Sequence, residues 1–203
     1  MHRTFQDISP SWEDVILNNL YAQTGLGKLG KPGSWNDPDF MEVCNPHANF
    51  SKTQDKTHFS LWAVVSAPLI MGHDVSGATS CVDILGNTEV IAINQGWAGN
   101  AGDVVGPDRH VWGKPLPNGE AAVVLHNADD ARANVSTKVT LHFSDLHWET
   151  EDPGKNVTYT ATKYKVRDLW LHKDLGIFEA NFTADAINGT DSITIKLTPV
   201  TAG

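Results

Sequence analysis

Cysteine is almost missing: two in 203 residues, too few for a disulfide-built scaffold. Positive charge is scarce too. Lys plus Arg number 15 against 24 Asp plus Glu, a formal net charge of −9. That balance argues against nucleic acid or an anionic membrane surface as the main partner. Long apolar runs are lacking. The longest, Leu61 to Met71, contains Ser66 and Pro68 and is too short to cross a bilayer. No apolar stretch follows Met1-His2-Arg3, so this start does not read as a signal peptide. There is no phosphate loop, no Gly-x-Gly-x-x-Gly and no Gly-x-Ser-x-Gly elbow, which speaks against nucleotide cofactors and serine hydrolase chemistry. The nine His show no zinc spacing, with His-Glu-x-x-His absent and no Cys partner near His142 or His147. Neither a metal nor a cofactor is expected.

What is present describes an acidic globular protein. Hydrophobic residues make up 40% and there are seven Trp, a content that excludes disorder. The length suits one large domain or two small ones. Five Asn-x-Ser/Thr sequons, at Asn49, Asn134, Asn156, Asn181 and Asn188, exceed the roughly two expected by chance. They point to a eukaryotic secretory pathway, or else to ordinary Asn and Thr in β-rich loops. In that compartment Cys44 and Cys81 form an even pair open to a disulfide. A signal peptide would then lie outside these residues, and the chain is expected to be a piece of something longer.

The two halves differ in period. Trp12 to Tyr21 carries apolar residues at helical spacing behind Ser11 as N-cap. Lys56 to Ser66 predicts a second helix ended by Pro68, and Ala67 to Met71 a short buried strand. Val82 to Leu85 predicts a short helix, with Asp74 capping it, and Glu89 to Ile93 is another apolar stretch. Such alternation suggests βα units and a parallel sheet. Beyond a Gly- and Pro-rich boundary near Gly96 to Gly106 the pattern changes. Strands are expected at His110–Trp112, Ala121–Asn127, Thr137–Phe143, Val157–Lys165, Asp168–His172, Ile177–Phe182 and Ser192–Leu197, with turn residues between them. Seven short strands read as an antiparallel sandwich or barrel. The expected division is 1–102 and 103–203.

Chemistry concentrates in Trp35-Asn36-Asp37-Pro38-Asp39. At the carboxyl end of a parallel strand, this cluster would open onto the edge where barrel enzymes keep their sites. Carboxylates accept hydrogen bonds from sugar hydroxyls, and an indole covers the apolar face of a sugar ring. An Asp-Pro turn with Asp39 capping a helix is the alternative. Arg3 and Asp7 form another polar pair, in which Asp7 is either a catalytic acid or a helix-start acid. His73-Asp74 follows the apolar run at 67–71 as loop residues.

These pieces occur in a recognisable order. Arg3-Thr4-Phe5-Gln6-Asp7-Ile8, Gly33-Ser34-Trp35-Asn36-Asp37-Pro38-Asp39, Phe59-Ser60-Leu61-Trp62-Ala63, Ala67-Pro68-Leu69-Ile70-Met71-Gly72-His73-Asp74-Val75 and Glu89-Val90-Ile91-Ala92-Ile93-Asn94-Gln95 follow one another. Together with Val166 to Gly176, they resemble the α-galactosidases of glycoside hydrolase family 27 over nearly the whole chain. The resemblance implies the C-terminal portion of a (β/α)8 TIM barrel followed by an antiparallel β-sandwich domain. It implies retaining hydrolysis of terminal α-D-galactosides, which needs two carboxyl groups roughly 5 Å apart. Asp7 matches the acid/base, Arg3 and Asp39 match sugar-binding residues, and Trp35 would shape the wall. Phe40 stands where relatives usually carry Met or Leu. The family's Lys-x-Asp-x-Cys type nucleophile motif does not occur here, so these residues alone are expected to be inactive. Within the family, α-N-acetylgalactosaminidase and β-L-arabinopyranosidase are alternatives. Outside it, a non-catalytic carbohydrate-binding remnant is another. The expected substrate partner is an α-galactoside oligosaccharide or glycoconjugate, and the expected location secreted, vacuolar or lysosomal.

Overall fold

A computed structural model describes residues 1–76, 81–127 and 135–200. The N-terminal half mixes helices with short parallel pairings. β1 (His2–Arg3) runs parallel to β2 (Asn36–Asp37), with Arg3 beside Asp37. The expected first helix forms over Asp14–Leu20, but with the wide π turn, and continues into one 3-10 turn at Tyr21–Gln23. Ser11 Oγ accepts from Asp14 N at 3.2 Å. Val15, Ile16, Asn19 and Leu20 are its buried residues.

α1 (Lys52–Val64) begins four residues before Lys56, where the apolar pattern first appears. Its start is set by a capping box: Ser51 Oγ accepts from Gln54 N and Gln54 Oε1 accepts from Ser51 N. Ala67 to Met71 is not a continuous strand. It supplies a single parallel bridge, Met71 to Met41. α2 (Val82–Leu85) forms as expected, although Asp74 does not cap it. The Asp74 carboxylate instead accepts from Ser76 N and Oγ, closing its own turn. The apolar stretch at 89–93 belongs to a helix, α3 (Thr88–Gln95), because Asn87 Oδ1 accepts from Glu89 N and Val90 N. The Cys44–Cys81 disulfide ties the loop after β2 to the start of α2.

The C-terminal half is antiparallel. β3 (Asp103–Val104), β4 (Val111–Pro115), β5 (Ala121–His126), β9 (Lys163–Asp168), β10 (Lys173–Glu179) and β12 (Ser192–Pro199) form one six-stranded sheet, ordered β10-β9-β12-β5-β4-β3. β6 (Ser136–His142) pairs with β11 (Asn181–Asn188), and β7 (His147–Trp148) with β8 (Val157–Thr158). Three expected strands are corrected. Val157–Lys165 is two strands, β8 and the start of β9. Leu169 to His172 is a turn, since the Asp168 carboxylate accepts from Trp170 N and Leu171 N and His172 is left-handed at φ 52°. Ile177–Phe182 is broken by Ala180, at φ 65°.

Alternation gives the six-stranded sheet two jobs. Its inner face, with Val111, Val123, Leu125, Ile195, Leu197, Tyr164 and Val166, packs on Leu141, Trp148, Phe182 and Ile187 of the other strands and on Phe143 in the turn after β6. Gly113 lies under Trp148, whose ring would stand 3.3 Å from an added Cβ. The outer face, with Trp112, Ala122 and Val124, joins the core of the N-terminal half against Leu61, Trp62 and Ile93. Each such fully buried large side chain contributes roughly 1.5–3 kcal/mol of apolar burial.

Polar links cross the same junction. Lys114 is buried and donates to the carbonyls of Ile93 and Asn94, 2.8 and 2.7 Å away, at the end of α3. Ser60 Oγ accepts from Trp170 Nε1 and Thr194 Oγ1. Arg167 grips Glu89 with two nitrogens at 2.7 and 2.8 Å. The connecting segment is pressed onto α1: at Gly102, φ +108°, an added Cβ would lie 1.9 Å from the Val64 carbonyl oxygen.

Candidate active site

The parallel pairing of β1 and β2 brings two carboxyl-end loops together. His2 N donates to Trp35 O at 3.1 Å and Thr4 N to Asp37 O at 3.0 Å. The chain then turns on each strand, toward Asp7 on one side and Asp39 on the other. Asp37 makes its turn as the Asp-Pro pattern predicts, its carboxylate accepting from Asp39 N at 2.9 Å.

Asp39 is 5% exposed and left-handed, at φ 89°. Its carbonyl accepts from Trp62 Nε1 at 2.9 Å. Its Oδ1 accepts from Phe40 N at 2.8 Å, and its Oδ2 from Ile8 N at 2.7 Å. Arg3 also donates to that Oδ2. Arg3 reaches the other way to Asp7 Oδ1 at 2.9 Å. One guanidinium therefore joins two carboxylates of opposite character. Asp39 is fixed, whereas the Asp7 side chain, in contact with Arg3, is 98% exposed and projects into solvent. A fixed carboxylate can accept hydroxyl hydrogen bonds, and a projecting one can exchange a proton with a bound molecule.

Arg3, Asp7 and Asp39 are thus brought together. Trp35 faces elsewhere: it packs edge-on against Trp97 at 5.4 Å and lines a cavity of about 330 Å3 with Met1, Pro68, Leu69 and Gln95. His73 contacts the carbonyls of Val43 and Asp74. Phe40 is exposed beside Asp39.

One residue of the cluster escaped the sequence pattern. Asn19 lies in the apolar stripe of the first helix, 1% exposed. Its Nδ2 donates to Gln6 O at 3.1 Å and Pro38 O at 2.7 Å. A polar residue at a position the stripe reserves for apolar ones was the available signal.

Cys44, Asp55 and Cys81 are grouped closely enough for a metal ion among the described residues, but both sulfurs are committed to the disulfide. Asp55 accepts from Cys44 N at 2.7 Å, and burial raises its carboxyl above the usual range. Of the sequon asparagines, Asn49 and Asn188 are exposed, Asn156 and Asn181 are half-buried, and Asn134 lies outside the described residues.

Two family models match. Residues 1–96 match that of alpha galactosidase A, and residues 106–197 that of the alpha galactosidase C-terminal beta sandwich domain. A Dictyostelium discoideum protein named "Probable alpha-galactosidase" is 36% identical over 203 residues, 97% of this chain and 48% of that protein. An alpha-galactosidase of Oryza sativa subsp. japonica is 36% identical over 173 residues, 84% of this chain and 37% of its own length. The chain spans about half or less of these relatives. In structure, an α-galactosidase from Saccharomyces cerevisiae solved with raffinose superposes with a TM-score of 0.74 at 18% identity, over 97% of this chain and 59% of that one. That likeness gives the fold: the end of a TIM barrel followed by a β-sandwich.

Proposed function

The chain belongs to the α-galactosidases of glycoside hydrolase family 27, and from that premise we propose that it is the carboxyl-terminal portion of a retaining glycosidase that removes terminal α-D-galactosyl residues. The observation that carries the proposal is the Arg3 bridge between exposed Asp7 and buried Asp39 at the carboxyl ends of two parallel strands. Asp7 acts as acid/base. It protonates the glycosidic oxygen as the bond to the sugar breaks, then takes a proton from the water that frees the sugar. Arg3 and Asp39 bind sugar hydroxyls, whereas Trp35, turned toward Trp97, takes no part in this cluster. The nucleophilic carboxylate comes from residues outside these 203. Residues 1–102 form the barrel part and 103–203 the sandwich. Substrates are α-galactoside oligosaccharides or glycoconjugates. The disulfide and the exposed sequons support passage through the secretory pathway.

The test is a polypeptide in which the Dictyostelium relative's segment preceding its match is joined ahead of residue 1. It is expected to hydrolyse melibiose and p-nitrophenyl α-D-galactoside, and the 203 residues alone are not. Asp7→Asn is expected to lower kcat about 10²- to 10⁴-fold. Full activity of Asp7→Asn, or activity confined to an α-N-acetylgalactosaminide or a β-L-arabinopyranoside, overturns the assignment.

A further inference from the structure

We propose that Asn19 is a positioning residue that holds the acid/base loop in register with the sugar-binding loop, an inference that rests on the roles given above to Asp7 and Asp39. Gln6 immediately precedes Asp7, and Pro38 immediately precedes Asp39. The two protons of one buried amide go to the carbonyls of those two residues, at 3.1 and 2.7 Å. Asn19 therefore fastens the peptide just before each carboxylate to a single rigid point.

A second fastening lies beside it. Gln23 Nε2 donates to the Asn19 carbonyl at 3.2 Å and also to Thr4 Oγ1. Thr4 Oγ1 in turn donates to Asp37 O at 3.1 Å. This second link secures the strands, while Asn19 secures the loops that leave them. The contact that depends on the loops is the Ile8 N–H to Asp39 Oδ2 bond of 2.7 Å, one residue beyond Asp7.

The side chain is specific to the task. The amide offers two N–H groups in a plane, so it can satisfy two carbonyls at once. Aspartate would place oxygen against oxygen. Leucine would fill similar space and take this donor from both the buried Pro38 carbonyl and the part-buried Gln6 carbonyl. The helix carries Asn19 on a face otherwise filled by Val15, Ile16 and Leu20, so the amide is held by core packing. Displacement of a catalytic group by about 1 Å can cost a hundredfold in rate. The loss falls on the step that needs proton transfer, because the acid moves relative to the bound sugar.

Two measurements test this. In the full 203-residue chain, Asn19→Leu is expected to speed Ile8 amide hydrogen exchange at least about tenfold while α1 amides keep their protection. Unchanged Ile8 exchange overturns the proposal. If Asn19→Leu does not fold, the unsubstituted chain decides: the Asn19 side-chain protons and the Ile8 amide are expected to exchange together, and Ile8 exchanging about tenfold faster overturns it. In the joined polypeptide, Asn19→Leu is expected to lower kcat/KM, which covers only the steps through departure of the leaving group, at least about tenfold more on melibiose than on p-nitrophenyl α-D-galactoside, whose leaving group departs without protonation. Equal losses on both substrates overturn the positioning role. If the unsubstituted joined polypeptide is inactive, the glycosidase assignment fails, and the fastening of the two loops stands or falls on exchange alone.

Discussion

Residues 106 to 197 pack Val123, Leu125, Leu141, Phe143 and Phe182 against one another, strand over strand, within one matched segment. Residues 1 to 96 do otherwise. Their core of Val15, Leu20, Leu61, Trp62 and Ile93 is completed by Trp112, Ala122 and Val124 from the outer face of the C-terminal sheet. One half has a private core; the other shares its core with a neighbour. The proposed active site lies in the half that shares. A site on a segment without its own closed core needs a wall to hold it, and the sheet supplies one. The sheet also has a stake in the contact, because its outer face would otherwise expose Trp112 and leave Lys114 without its two carbonyl acceptors.

Removing the shared ring is the most severe challenge. Trp112→Ala is expected to cost about 3–5 kcal/mol and to lower the protection of α1 and β5 amides together. Loss confined to β5 would mean that the N-terminal half closes its own core. Removing the disulfide challenges the N-terminal half by itself, because both cysteines lie within it. Cys44→Ser with Cys81→Ser opens a link across 37 residues of sequence and is expected to cost about 2–4 kcal/mol. The first protections to fall should be those of the N-terminal half, with β5 and β12 amides unchanged under mildly destabilising conditions.

The charged junction responds to pH at both ends. Burial lowers the Lys114 ammonium from 10.5 to about 7. Between those values the unfolded chain keeps a proton the folded chain has released, so this group's contribution to stability rises with pH, by up to about 1.4 kcal/mol per unit. Denaturant midpoints of the native chain minus those of Lys114→Met should show that slope, and a flat difference would mean that the ammonium stays charged in the fold. At the acid end, the Arg167 hydrogen bonds lower Glu89 from 4.5 to about 2. Its contribution is complete above about pH 4.5 and fades as pH falls toward 2. The weakest effect belongs to the exposed Lys31–Glu151 pair at the rim of the junction. Lys31→Ala should leave the unfolding midpoint unchanged, since such pairs contribute little.

The antiparallel half was largely legible because the short apolar run of Ala121–His126 and the period-two alternation of Ser192–Pro199 are local properties. Its errors fell on residues whose backbone departs from extended form for a side-chain reason, as where Asp168 accepts two amide protons and ends its strand. The helical half was read less well. Val90 and Ile93 are apolar for the sake of a distant sheet, and only the Asn87 cap marks them as helical. Of the site, Arg3, Asp7 and Asp39 could be named from motif order, but neither the exposure of one carboxylate nor the burial of the other. Asn19 shows in the sequence only as a polar residue in an apolar stripe; its partners are carbonyls, which leave no trace in side-chain identity.

The approach of Gly102 to the Val64 carbonyl bears on how the sandwich can serve an enzyme. A flexible tether would let an appended domain sample a volume around the catalytic site and raise local substrate concentration by capture. A connection in van der Waals contact with the end of α1 gives no such reach. The sandwich is a keel rather than a grappling line. The sandwich is held against the N-terminal half at one distance and one angle, and a larger residue at position 102 would lift the keel off the hull.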